Sequence, residues 1–116
     1  MVATPDNNHS YAVFHMPVEL DLYNAETMKQ SVERLLAAEP RPVIFDCGET
    51  DYVDSSGIGV LVFIHGRFLK RQRRFCFTRF RANVSRVIAL TGLDGVFPIE
   101  DDLEDAVHYM EKMTRL

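Results

Sequence analysis

The sequence predicts an α/β domain: a small mixed, mainly parallel β-sheet of about four to five strands with four helices. Three observations carry that reading. Strand-like and helix-like segments alternate four times along the 116 residues, the order that sets strands parallel and joins them by helical crossovers. Pro42 to Asp46 is a short β-branched and aromatic run, long enough for a strand buried within a sheet. Connections are short throughout, and a chain of this length supports a single core rather than two.

Tyr11 to about Met16 reads as the first strand, and Pro17 marks its end or an edge position because it cannot donate to a ladder. The polar Glu19-Leu20-Asp21 follows. Asn24 is placed to cap the first helix, with Glu26 in the first turn complementing the helix dipole. Ala25, Met28, Val32, Leu35 and Leu36 recur at helical spacing until Pro40 stops the run. After the strand at 42–46, Gly48-Glu49-Thr50-Asp51 forms a turn. Asp54 is the expected cap of a second helix from Ile58 to Leu69, with Ile58, Leu61, Val62, His65 and Leu69 on its apolar side. Arg74 to Thr78 reads as the third core strand. Asn83 is placed to cap a third helix carrying Val84, Val87 and Ile88, which Gly92 closes. Val96 to Ile99 makes a very short last strand. Asp101 or Asp102 opens a fourth helix with Leu103, Ala106, Val107 and Met110 on one stripe.

Composition narrows the function. Hydrophobic residues make up 47% and charged residues 26% of the chain, ordinary for a folded domain. The longest apolar stretch, Val60 to Ile64, is far too short to span a bilayer, so membrane insertion is not expected. Residues 1–10 have no basic start and no apolar core; they read as a disordered polar leader to a single domain over 11–116, not as a secretion signal. A cytoplasmic location is expected. Cys47 and Cys76 lack the spacing of a redox pair or a metal site and read as small buried hydrophobes in a reducing compartment. No metal-ligand cluster is visible.

The net charge of −4 is unevenly distributed. Residues 1–66 hold 3 basic against 10 acidic side chains, residues 67–86 hold 8 basic and no acidic ones, and residues 87–116 hold 2 basic against 7 acidic. This places a basic edge on an acidic body. Phe68, Phe75, Phe77 and Phe80 interleave with the basic residues, a pattern that also occurs on nucleic-acid surfaces. The overall acidity favours arginines facing solvent with the phenylalanines in the core, and no direct nucleic-acid partner is expected. A docking strip for an acidic partner is a third use.

Asp54-Ser55-Ser56-Gly57-Ile58-Gly59 carries the most functional information. It lies where an apolar strand gives way to an amphipathic helix, so two serine hydroxyls fall on a first helical turn. Free backbone amides and the positive end of the helix dipole favour a phosphate there. Gly57 and Gly59 leave the surrounding backbone unshielded, either for a second macromolecule to approach or for the helix start to pack closely on the sheet. The residues alone describe a place for a serine to be phosphorylated or for an anion to sit.

The chain resembles a STAS domain, the fold of bacterial anti-sigma-factor antagonists (anti-anti-sigma factors). Three pieces carry the resemblance: Glu19-Leu20-Asp21 with Asn24-Ala25; Phe45-Asp46 through Tyr52-Val53-Asp54-Ser55-Ser56-Gly57-Ile58-Gly59-Val60-Leu61; and Thr91-Gly92-Leu93 with Phe97-Pro98-Ile99 and Asp101-Asp102-Leu103-Glu104-Asp105-Ala106. In that family the serine directly before the glycine is the phosphate acceptor, which here is Ser56. The resemblance implies that the unphosphorylated form binds an anti-sigma factor serine kinase, which supplies the ATP and Mg, and so frees a sigma factor. Phosphorylation blocks that binding until a PP2C-like phosphatase removes the group. Asp21, Asn24, Asp54, Ser55, Gly57, Ile58 and Gly59 are then the expected partner-binding residues. The chain departs from the family in Pro17-Val18, where a glycine is usual, and in the Lys70-Arg71-Gln72-Arg73-Arg74 turn, which usually contains glycine. A constitutive adaptor of the same fold, in a stress-sensing complex or beside a lipid-transporter ATPase, is the alternative.

An enzyme is not expected, and no cofactor is implied. Gly-x-Ser-x-Gly and the phosphate loop Gly-x4-Gly-Lys are both absent. His65 lies more than two helical turns beyond Ser56, out of reach as its base, and reads as a core or interface histidine.

Overall fold

The computed structural model describes residues 9–114. Most of the expected leader, residues 1–8, lies outside the described residues. Strand β1 (Ala12–His15) is followed by the two-residue β2 (Glu19–Leu20) and helix α1 (Ala25–Ala38). Strands β3 (Val43–Asp46) and β4 (Tyr52–Val53) precede helix α2 (Ser55–Lys70). Strand β5 (Phe75–Thr78), helix α3 (Ala82–Leu90), a 3-10 turn at Leu93–Gly95, strand β6 (Ile99–Glu100) and helix α4 (Leu103–Thr114) complete the order.

The main sheet runs β1-β3-β5-β6, and every neighbouring pair is parallel. A separate parallel ribbon pairs β2 with β4, matching Glu19 to Tyr52 and Leu20 to Val53. Pro17 follows the edge strand β1 as its sequence position required. The central strands β3 and β5 are buried at every residue, as expected of strands covered on both faces. Phe45 sits at the centre of the larger core, 5.5 Å from the Phe14 and Phe68 ring centroids and 5.8 Å from Phe77. Val32, Leu61, Ile64 and Phe68 close this side. On the opposite face Ile44 and Cys76 meet Ala106 and Met110 of α4.

Helix α2 differs from its expected outline in start and rotation. It begins at Ser55, not Ile58, and buries Gly57, Val60, Leu61, Ile64 and Phe68. Val62 and Leu69, expected on the apolar side, are 45% and 65% exposed. The segment is apolar around most of its circumference, so periodicity alone does not set its rotation. The rotation follows instead from Gly57, which lies flush against the backbone of Leu20: a Cβ there would stand 2.0 Å from the Leu20 carbonyl oxygen. His65 is half-buried between Phe75 and Phe97, with ring centroids 6.0 and 5.6 Å away.

Two other local expectations are revised, and an alternative at α4 is resolved. Asn83 does not cap α3; Arg81 occupies that position, and the Asn83 side chain donates to the Asp51 carbonyl at 2.6 Å. The last strand is Ile99–Glu100 rather than 96–99, because Pro98 offers only its carbonyl, which accepts from the Phe77 amide at 2.9 Å. Phe97 instead turns into the core. Of the two candidate caps for α4, Asp102 serves, accepting from the Asp105 amide at 2.8 Å. Gly92 closes α3 with φ 77°, the left-handed conformation glycine adopts without cost.

Both cysteines are free and buried. Burial pushes the Cys76 thiol up to about 12, and raises Cys47 further, with Asp46 adding to the effect. Thiolate is the reactive form. Neither thiol should react with a disulfide reagent at about pH 8 in the folded protein, and both should react once it is unfolded. Rapid labelling of the native protein would contradict this burial.

Candidate functional site

The Asp54 carboxylate organises the site. One oxygen accepts from the Gly57 amide at 2.9 Å, the side-chain cap of α2, and the other accepts from the Leu22 amide at 3.1 Å. A single residue therefore ties the start of α2 to the turn between β2 and α1. Its own amide donates to the Leu20 carbonyl at 3.3 Å. Loss of a capping side chain costs about 1–2 kcal/mol. Asp54→Ala is expected to lose at least that amount in urea denaturation, since the Leu22 amide also loses its acceptor. An unchanged midpoint would exclude the capping role.

Ser55, on the first turn, is exposed, and Ser56 beside it is half-buried. Neither hydroxyl has a hydrogen-bond partner among the described residues. Ile58 and Gly59 are partly exposed, and a Cβ at Gly59 would meet nothing within 4 Å. Gly57 is different. It is buried against Leu20 and offers no surface to a partner; its role is to let α2 seat closely on β2.

Asp21 and Asn24, expected on the docking face, mainly build the adjoining turn. Asp21 is only 9% exposed, and its Oδ1 accepts from the Tyr23 amide at 2.9 Å. Asn24 does not cap α1 with its side chain. Its Oδ1 accepts from the Asp21 amide at 3.0 Å and its Nδ2 donates to the Glu19 carbonyl at 2.7 Å. The consequence is a rigid turn that holds out Leu22 and Tyr23, 69% and 93% exposed. Val18, just before β2, and Tyr52 on β4 are also about half exposed. Sequence reasoning missed these residues. The available signal was two large apolar side chains inside a polar turn sequence, Asp21-Leu22-Tyr23-Asn24. Clustered exposed apolar groups of this kind mark interaction surfaces.

The loop leading to β4 is held from two sides. Thr50 Oγ1 donates to the Pro17 carbonyl at 2.6 Å, and the Asp51 amide donates to Val18 at 2.9 Å. From the segment after β5, Arg81 donates to the Gly48 carbonyl at 2.9 Å and Asn83 holds Asp51. Arg79 adds an ion pair to the buried Asp46 at 3.2 Å. Two arginines of the basic segment, Arg79 and Arg81, thus brace the start of the loop that leads to β4.

Fold and site together define a small α/β domain presenting a serine pair at the capped start of a helix. The family model for the STAS domain matches residues 2–106, and the chain belongs to that family. It is 28% identical over 83 residues to an anti-sigma-B factor antagonist from Listeria monocytogenes, an alignment covering 72% of this chain and 73% of the relative. An anti-sigma factor antagonist from Mycobacterium paratuberculosis superimposes with a TM-score of 0.81 at 23% identity, over 95% of this chain and 93% of that one. The murine anion transporter Slc26a9 contains a similar unit, with a TM-score of 0.78 at 17% identity over 92% of this chain and 18% of the transporter. At these identities the structural likeness defines the fold alone. Among the described residues no helix is long and apolar enough to cross a membrane.

Proposed function

We propose that this protein is a phosphorylation-switched binding module, an anti-sigma-factor antagonist whose phosphoacceptor is Ser56. The unphosphorylated form docks on an anti-sigma factor serine kinase and so frees a sigma factor; phosphate on Ser56 blocks docking, and a PP2C-like phosphatase restores it. The observation that carries this reading is the Ser56 hydroxyl, without an internal partner, at the capped start of α2 and beside the exposed Leu22–Tyr23 turn. The relative's description as an anti-sigma-B factor antagonist supports the partner class. Phosphate adds about −1.5 to −2 charge. The amides at the helix start offset part of that charge within the domain, so the switch acts by spoiling the docking surface rather than by refolding it.

Intact-mass analysis of the protein from its native host tests the proposal. One phosphate is expected, mapped to Ser56, removed by phosphatase and absent from Ser56→Ala. No phosphate under any growth condition, with partner binding indifferent to Ser56→Asp, would leave the constitutive adaptor.

A further inference from the structure

Some 20 Å along α2 from Ser56, by helix rise, lies a cleft of about 490 Å³ at the amino-terminal end of the sheet. Pro40, Pro42, Pro98, Phe75 and Tyr109 give it apolar walls, and Leu69 stands at its rim. We infer that this cleft is a second docking site, for an acidic peptide segment of a partner protein carrying one apolar anchor residue, and that it operates independently of Ser56.

Charge is the first argument. Of the eight basic residues between 67 and 86, four are engaged internally. Arg67 pairs with Glu33, Arg73 donates to the carbonyls of Leu36, Glu39 and Arg41, Arg79 pairs with Asp46, and Arg81 holds Gly48. Arg74 lines the cleft beside Arg73 and has no carboxylate partner among the described residues; Lys70, the last residue of α2, and Arg71, in the turn that follows, have none either and are next in the chain to the lining residues Leu69 and Gln72. Two arginines and no carboxylate among the lining residues, over an apolar floor, complement an acidic segment with an apolar side chain. Nucleic acid fits less well, since three prolines and a buried phenylalanine offer no stacking platform of open aromatic faces.

Exposed apolar surface is the second argument. Gln72 lines the cleft as the left-handed residue (φ 54°) that closes α2, its amide donating to the Leu69 carbonyl and the Arg73 amide to that of Phe68. Leu69, 65% exposed beside it, is an anchor contact with no role in the core.

The test is a titration of the isotope-labelled full chain by NMR with a synthetic peptide of alternating Asp and Glu around a single Leu. Shifts are expected to concentrate at Leu69, Gln72, Arg74, Phe75 and Tyr109, and to weaken with added salt. Arg71→Glu with Arg74→Glu should reduce affinity about tenfold or more, and Leu69→Ser should reduce it without changing the net charge. Ser56→Asp should leave it unchanged, which separates this site from the proposed switch. The inference is overturned if the Leu→Ser peptide or a single-stranded oligonucleotide of equal charge binds as well. Shifts elsewhere, no shifts at all, or self-association that covers the cleft would overturn it too.

Discussion

Ser56→Asp is expected to weaken binding to the cognate anti-sigma factor by about 30-fold or more, while Ser56→Ala stays within about threefold of the parent. A carboxylate placed at Ser56 meets the partner with a charge that the parental hydroxyl lacks, and like-charge juxtaposition at an interface costs several kcal/mol. The same change is benign within the domain. An acidic side chain on a first helical turn is favoured by the dipole, and the carboxylate of Asp54 is already engaged by the Gly57 and Leu22 amides. Thermal stability should therefore move by less than about 1 kcal/mol. Calorimetric titration alongside a melting curve separates the two effects; loss of binding with loss of fold would not support a switch.

The second large effect divides the two glycines of the motif. Gly57→Ala places a methyl group 2.0 Å from the Leu20 carbonyl oxygen and 2.9 Å from Val53 Cγ1. The nearest obstacle is backbone, so α2 must lift from β2, at a cost of about 3 kcal/mol or more. Gly59→Ala meets nothing within 4 Å, and replacing a helical glycine by alanine should stabilise by about 0.5–1 kcal/mol. Urea denaturation of both variants checks the pair. If Gly59→Ala stabilises the fold yet impairs partner binding, close approach by the partner is the reason for that glycine. Equal stability of Gly57→Ala and the parent would contradict the packing described for Leu20.

The alternation of elements, the caps at Asp54 and Asp102 and the stop at Gly92 could be read from local chemistry because each depends on neighbours within a few residues. The ribbon of Glu19–Leu20 with Tyr52–Val53 could not, since two residues carry no period. The rotation of α2 was misjudged for a related reason: a helix apolar nearly all round takes its orientation from a tertiary contact, here Gly57 on Leu20. Asn83 and Asn24 have the composition of helix caps, but their side chains reach the Asp51 and Glu19 carbonyls instead. The segregation of arginines was plain in the sequence. Which of them brace the loop before β4 and which border an open cleft was decided by partners more than 30 residues away.

At the candidate site, the capped helix start that carries Ser55 and Ser56 was legible because a serine pair after a capping aspartate is a local pattern. Leu22 and Tyr23 were not, because apolar residues in a short turn are ordinarily assigned to the core; only the Asp21–Asn24 hydrogen bonds hold them outward.

The most direct measurement is a calorimetric comparison of wild-type protein, fully phosphorylated on Ser56 and then returned by phosphatase, against its purified anti-sigma factor. Tight binding by the dephosphorylated form and at least a tenfold loss on phosphorylation, about 1.4 kcal/mol, are predicted. Equal affinity in the two states would contradict the account.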